Sequence, residues 1–279
     1  MNGKRILITG ASGFLGRQLL QLLNENDCVL LLNSTPQDDL SERYVWFDNP
    51  VELVQSVSAV DVVIHLAAHI PHGNMNESTP LLQWVNVDLT KTLAQAYANA
   101  RWVFASSVAV YGDSNMEVIT AQTEPSPNTA YAQSKWKAEN ALSELRDCAI
   151  VRFASIIGPG MKPVSMIPKW VQMAKETGTI TIWGSGSRMQ NYIDVRDAAR
   201  LVEILAFNNW KGVVLGVAPV EQSNKQVAEV LSGLTRADLI FTQHADQKGL
   251  RYDDRETHRI LGFMPKFELR DSIRDMIAE

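Results

Sequence analysis

At 279 residues and 46% hydrophobic side chains, the chain has enough apolar material for one large domain, or one domain with a smaller lobe, which excludes a disordered polypeptide. A formal net charge of -5, with acidic and basic residues interspersed, provides no basic stripe for tracking a phosphate backbone. That argues against nucleic acid as a partner and leaves a phosphorylated small molecule open.

Lys4 and Arg5 are followed by "ILI", which stops at Thr9 and is too short for a signal-peptide core. The longest comparable run, "VLLL" at 29 to 32, is far below the roughly 20 apolar residues a membrane helix needs. The expectation is a soluble, cytoplasmic protein with no membrane partner. Cys28 and Cys148 each open an apolar run and read as reduced core thiols.

Short apolar runs bounded by Gly, Pro, Asn or Asp recur from residue 4 to about 153: "KRILIT", "CVLLLN", "YVWF", "DVVIHLA", "WVFASS" and "CAIVRF". They lack polar alternation, as strands of a parallel sheet covered on both faces do. Between them lie helical patterns. From Thr79 to Ala100, Leu82, Val85, Leu89, Leu93 and Ala96 recur at three and four. The reading is α/β, a doubly wound parallel sheet. Beyond Ser155, "GPGMKP", "WGSGS" and "GVAPVEQSN" interrupt shorter elements. This predicts a main domain over 1–154, to which 190–218 return, and a second, smaller lobe from 155–189 and 219–279.

The first strand runs into "TGASGFLG". Gly10, Gly13 and Gly16 then open a helix, where backbone amides at a helix N-terminus cradle a dinucleotide pyrophosphate. The spacing is GxxGxxG, and a glycine-rich turn also serves packing. In "NTAYAQSK", Tyr131 and Lys135 lie one helical turn apart on one face. His65, His69 and His72 are spaced like a metal face, but His65 lies in a strand and Pro71 interrupts the path, so no metal is expected.

"TGASGFLG", "DVVIHLAA", "FASSVAVYG" and "YAQSK", in this order, resemble the extended short-chain dehydrogenase/reductase family of nucleotide-sugar epimerases, dehydratases and ketoreductases. "RFASIIGPG", "GSGSRMQNYIDVRDAAR" and "ETHRILGFMPKFELRDSI" extend the likeness over nearly the whole chain. The resemblance implies a Rossmann-type sheet with a C-terminal α/β substrate lobe. It implies a Ser107, Tyr131, Lys135 catalytic set, with Ser106 as the rival serine. A phenol of ordinary pKa near 10 needs roughly 4 kcal/mol of favourable interaction to ionise at neutral pH, which a neighbouring ammonium and a positive nicotinamide would supply. Lys135 is therefore expected to lower Tyr131.

The resemblance implies cofactor contacts at Gly10, Ser12, Gly13, Phe14, Leu15, Gly16, Asn33, Asp48, Leu66, Ala67, Ala68, Tyr131, Lys135 and Phe153. Substrate contacts are implied at His69, Ser107, Val108, Tyr131, Ser155, Arg188, Gln190 and Arg251. Asn33, where NAD-binding relatives have Asp, leaves NADP or NAD open, with NADP slightly preferred; Ser34 and Arg17 could meet a 2'-phosphate. Val108 and Ala109 stand where dehydratases carry an acid, which argues against a 4,6-dehydratase. Gln190 and Ser155 replace the family's Arg and Asn, which leaves a carrier-free carbonyl substrate open. Trp170 and Trp183 read as lobe core or as stacking surfaces. The leading reading is a ketoreductase on a nucleotide-linked sugar. An NAD-dependent epimerase and a non-catalytic dinucleotide sensor are the alternatives. Homodimerisation through helices at about 79 to 100 and 128 to 145 is expected by analogy.

Overall fold

A computed structural model describes residues 3–23, 27–32, 44–71, 73–112, 114, 116–243 and 249–279. The chain divides into two compact units. The first comprises residues 1–114, 121–153 and 199–215; the second comprises 115–120, 154–198 and 216–279.

In the first unit, β1 (Arg5–Thr9) leads into α1 (Phe14–Leu20), then β2 (Cys28–Leu32), β3 (Tyr44–Phe47), α2 (Pro50–Ser56) and β4 (Val62–His65). α2 begins where its sequence dictates. Pro50 occupies the first turn, where its missing N–H costs nothing, and the Asn49 side chain accepts from Val51 N. α3 (Pro80–Gln83) starts the same way, capped by Thr79, which accepts from Leu82 N. A π-helical turn, Trp84–Asp88, joins it to α4 (Leu89–Ala96), which precedes β5 (Arg101–Ser107) and a 3-10 turn, Val108–Tyr111. After β6 (Val118–Ile119), which belongs to the second unit, come α5 (Ala130–Leu142) and β7 (Cys148–Phe153).

The chain then builds the second unit with β8 (Ser155–Ile157), α6 (Met166–Thr177), β9 (Thr179–Trp183), β10 (Met189–Gln190) and β11 (Tyr192–Asp194). α7 (Val195–Phe207) starts in the second unit and ends in the first, where β12 (Gly212–Gly216) follows. β13 (Gln222–Ser223), α8 (Asn224–Thr235), β14 (Asp238–Thr242), β15 (Arg251–Tyr252), α9 (Arg255–Leu261) and α10 (Leu269–Ile277) complete the second unit.

The first unit is built on a seven-stranded sheet in the order β12-β7-β5-β4-β1-β2-β3, a parallel doubly wound topology. The register aligns Thr9 with Leu32 and with His65, and His65 with Phe104, so the carboxyl ends of the central strands lie together. Ile6, Leu7, Ile8, Val62, Val63, Ile64, Trp102, Val103 and Phe104 are all buried, the expected result for apolar strands covered on both faces. The second unit has its own core, including Ile167, Trp170, Ile180, Ile182, Val227, Leu231 and Ile273, around the parallel pair β14-β9.

Three local expectations change. The helix over 79–100 is interrupted, and the π-helical turn inserts a residue into its periodicity, so that Asn86 and Val87 are buried while Val85 is only half-buried. Cys28 is exposed, because it is the outermost residue of β2; Cys148 is buried, and burial pushes its thiol up to about 12. Trp170 lies in the core of the second unit and donates to Thr181 O at 3.0 Å, whereas Trp183, at the end of β9, is 70% exposed.

Candidate active site

The glycine turn follows β1 directly. Gly10 has φ of 71° and donates to Leu32 O; a Cβ there would meet Ala67 N at 2.8 Å. Both constraints select glycine. Gly13, exposed, is the N-cap of α1 and supplies no side-chain cap, and the first turn carries no acidic residue. The N–H groups of that turn therefore meet neither a capping side chain nor a carboxylate from within the turn, a setting that fits a dinucleotide pyrophosphate. Phe14 and Ser12 are half-buried, and Leu15 and Gly16 are buried. Arg17 donates from Nε to Ser12 O at 3.0 Å. Asp48 is exposed immediately after β3. Asn33 and Ser34 lie outside the described residues, as does His72.

Leu66, Ala67, Ala68 and His69, all half-buried, leave the end of β4. Their backbone is tied down: Leu66 N donates to Thr9 O at 3.2 Å, and Ala67 N to Thr9 Oγ1 at 3.0 Å. Asn86 holds His69 from both sides. Its Oδ1 accepts from His69 N at 2.7 Å, and its Nδ2 donates to His69 O at 3.0 Å and to Ser134 Oγ at 2.9 Å. Ser134 Oγ donates to Tyr131 O at 2.7 Å. The π-helical turn thus couples the loop after β4 to the helix that carries the tyrosine.

His65 is buried in a directed hydrogen-bond chain. Thr90 Oγ1 donates to Asn86 O at 3.0 Å, so it accepts from His65 Nε2 at 2.8 Å. That places the ring proton on Nε2 and leaves Nδ1 to accept from Thr9 Oγ1 at 2.6 Å. Burial, followed by the charge of Lys135, brings His65 down to about 3. The histidine is a neutral strut.

Tyr131 and Lys135 share the buried face of α5, whose N-cap Thr129 accepts from Ala132 N. The Tyr131 phenol hydrogen-bonds Ser107. Ser107 Oγ also accepts from Ala109 N at 3.1 Å, capping the 3-10 turn, so the structural and site readings of this serine coexist. Ser106, one residue earlier and buried, instead donates to Glu139 Oε1 at 2.5 Å. The two adjacent hydroxyls therefore serve different partners, and Ser107 is the one that reaches the tyrosine. Lys135 Nζ lies 4.5 Å from the centroid of the Phe104 ring.

The chain's own groups set the electrostatic starting point for Tyr131. Burial pushes the Tyr131 phenol up to about 12, opposed only in part by the Ser107 hydrogen bond. The reason is burial: a phenolate there loses its hydration, and the Lys135 ammonium is itself desolvated beside the Phe104 ring. Lys135 is brought down to about 8 by burial, opposed by Glu139. At neutral pH the chain's own groups hold a protonated phenol beside a charged lysine.

Behind this pair lies a network the sequence reading missed. Arg152 donates to Glu139 through Nε at 3.1 Å and Nη2 at 2.7 Å, and through Nη1 to Tyr111 OH at 2.9 Å. All three side chains are buried. The one sequence signal for it was Glu139, four residues after Lys135. Thr9, Asn86 and Thr90 carried none, since polar residues on an element read as its wet face. Phe153 is buried at the end of β7, and Val108 is half-buried at the start of the 3-10 turn.

The remaining substrate candidates belong to the second unit. Ser155 is exposed, and its N donates to Asn191 O at 3.3 Å. Gln190 Nε2 donates to Tyr192 OH at 2.8 Å and to Asn224 Oδ1 at 2.7 Å, so its amide is engaged within the unit. Arg188 is exposed, and its charge acts on Tyr192, whose phenol burial nevertheless raises. Arg251 is exposed on β15, paired with Val118.

A glycine turn and a Ser-Tyr-Lys set at the carboxyl ends of a doubly wound sheet form the layout of dinucleotide-dependent oxidoreductases. Residues 6–215 match the model of the NAD dependent epimerase/dehydratase family, and the chain belongs to that family, the extended short-chain dehydrogenase/reductases. Among its relatives is the low-salt glycan biosynthesis protein Agl12 of Haloferax volcanii, 26% identical with 96% of each chain covered. The dTDP-glucose 4,6-dehydratase of Streptomyces griseus is also 26% identical, over 98% of this chain and 93% of its own. A solved structure of MoeE5 in complex with UDP-glucuronic acid and NAD superimposes with a TM-score of 0.84 at 26% identity, covering 98% of both chains.

Proposed function

We propose that this protein is an NAD(P)-dependent ketoreductase acting on a nucleotide-linked sugar, in which Tyr131 donates the proton. The observation that carries the reading is the Tyr131 phenol, buried on α5 one turn from Lys135 and hydrogen-bonded to Ser107. A group so poised gives a proton to a developing alkoxide more readily than it takes one from an alcohol. A bound nicotinamide dinucleotide supplies or accepts hydride. The chain's residues do the rest. Ser107 Oγ orients the substrate oxygen beside the Tyr131 hydroxyl. Lys135 contributes positive charge to the pocket as the phenol gives up its proton, and the α1 N-terminal turn would hold the pyrophosphate. NADP is slightly preferred to NAD, and the nucleotide-linked substrate rests on the relatives named above.

An epimerase, which would need a retained cofactor, is the second reading, favoured by the match to the NAD dependent epimerase/dehydratase family. Val108 and Ala109 offer no proton-transferring group for dehydration. We place the enzyme in the cytoplasm as a homodimer. Exposed Leu81 and Trp84 on the 79–100 segment support the dimer, and no described helix is long and apolar enough to cross a membrane.

The test is titration with NADPH and NADH, followed by assay against 4-keto nucleotide sugars, with Tyr131→Phe as the control. Tight, exchangeable NADPH and a turnover lost in Tyr131→Phe support the ketoreductase. Co-purifying NAD that does not exchange, with interconversion of sugar epimers, replaces it by the epimerase. Cofactor binding without turnover of any carbonyl substrate replaces it by a sensor.

A further inference from the structure

We propose that Asp254 and His258 form a pH-sensitive latch in the second unit, which holds α9 to the end of β15 while the pair shares a proton and releases it when that proton is lost. α9, Arg255–Leu261, is only 7 residues long, and Thr257 is its one buried residue. A helix so short is marginal by itself. It needs a firm start, and the ordinary device is missing. Asp254 occupies the N-cap, yet its side chain accepts from no amide of the first turn.

The carboxylate turns instead to His258, one helical turn on. Its Oδ2 lies 2.8 Å from His258 Nε2, and both atoms are buried. The approach is close but lacks the alignment of a hydrogen bond, and neither atom has a hydrogen-bond partner among the described residues. The contact therefore holds by charge, imidazolium against carboxylate, and not by a directed bond that a neutral ring could keep.

The neighbouring charges make the proton necessary. Just before β13, Glu221 accepts from Tyr252 N at 2.7 Å, which brings a second acid alongside. Asp253, at the junction of β15 and α9, is a third, and Arg255 answers it, donating from Nε to Oδ1 at 2.8 Å. Arg259, exposed on α9, lies 3.9 Å from Glu256. The two arginines of α9 thus serve other carboxylates, and His258 is left to oppose the charge of Asp254. Burial raises the Asp254 carboxyl above its ordinary value, with His258 acting against that and Asp253 and Glu221 adding to it. A raised carboxyl binds its proton more tightly in the fold than in the unfolded chain, so the latch is complete in mild acid and is lost as pH rises. Beyond that point Asp254 is a buried carboxylate with no opposing charge, which costs folding free energy. Asp253 N donates to Ile119 O at 2.8 Å, so the latch also steadies the end of β15, which carries the substrate candidate Arg251.

The test is amide hydrogen exchange on the full-length protein at about pH 5.5 and about pH 8.5, with rates corrected for the intrinsic effect of pH on exchange. Protection of residues 255–262 is expected to fall by about 10-fold or more over this interval, while α8 in the same unit keeps its protection. In His258→Gln and in Asp254→Asn the fall should shrink to less than about 3-fold, because no shared proton remains to be lost. A wild-type fall in 255–262 no larger than that of α8 overturns the proposal, and so does a fall in either folded variant equal to that of wild type. If His258→Gln does not fold because it leaves the Asp254 carboxylate unopposed, Asp254→Asn, which removes that charge, and the wild-type comparison with α8 decide between the same outcomes. The exchange readout needs neither cofactor nor substrate, so it can fail while the ketoreductase reading stands, and the reverse.

Discussion

Acidification is expected to destabilise the first unit through His65. The unfolded histidine has its ordinary value of 6.5, and in the fold burial and Lys135 bring it to about 3. Between these values the unfolded chain binds a proton that the folded chain refuses. Stability is therefore complete above pH 6.5 and is lost as pH falls towards 3. From pH 7 to 4.5 the histidine accounts for roughly 3 kcal/mol, since each unit of pH between the two values is worth about 1.4 kcal/mol. The hydrogen-bond chain explains why no relaxed protonated state is available. A proton on Nδ1 would displace the Thr9 hydroxyl from its acceptor, while Thr9 Oγ1 is already accepting from Ala67 N. The assay is urea unfolding of wild type and His65→Gln at both pH values, which subtracts the carboxylates common to the two proteins. Wild type should lose roughly 3 kcal/mol more than the variant over this interval. Equal losses would refute the argument that a neutral, fully bonded histidine sits there.

The paired serines should separate cleanly. Ser107→Ala is expected to reduce turnover on a carbonyl substrate by about 10²-fold or more, with about 1 kcal/mol of stability lost along with the cap of the 3-10 turn. Ser106→Ala should instead cost about 1–3 kcal/mol in denaturant unfolding, because it removes a donor from the buried Glu139 carboxylate. In Gly16→Ala, the new Cβ would press on Gly10 O and lie 2.6 Å from Ala11 O. A loss of dinucleotide affinity together with at least about 1–3 kcal/mol of stability should follow, read by titration and by urea unfolding. Asn86→Ala releases the backbone of His69 and the Ser134 hydroxyl at once. Faster amide hydrogen exchange at residues 66 to 70 is expected, with α1 unaffected.

Much of this could be read along the chain. Runs such as "RILIT" and "VVIH" have no polar alternation, and such runs become the central strands of a parallel sheet because both of their faces are covered. The glycines before α1, and the four-residue spacing of Tyr131 and Lys135, are local regularities of the same kind, set by backbone geometry alone. The interruption of the 79–100 helix was not legible, because it is made by a buried Asn whose partners, His69 and Ser134, lie 17 and 48 residues away. Nor could spacing tell Ser106 from Ser107. Adjacent residues on a strand face opposite sides of the sheet, and only the packing of α5 decided which side held the tyrosine and which the glutamate. The protonation of Tyr131 was decided there too. A sequence shows that a lysine is near a phenol, but whether that lysine lowers the phenol depends on how much water both have lost, and burial is a property of the assembled fold.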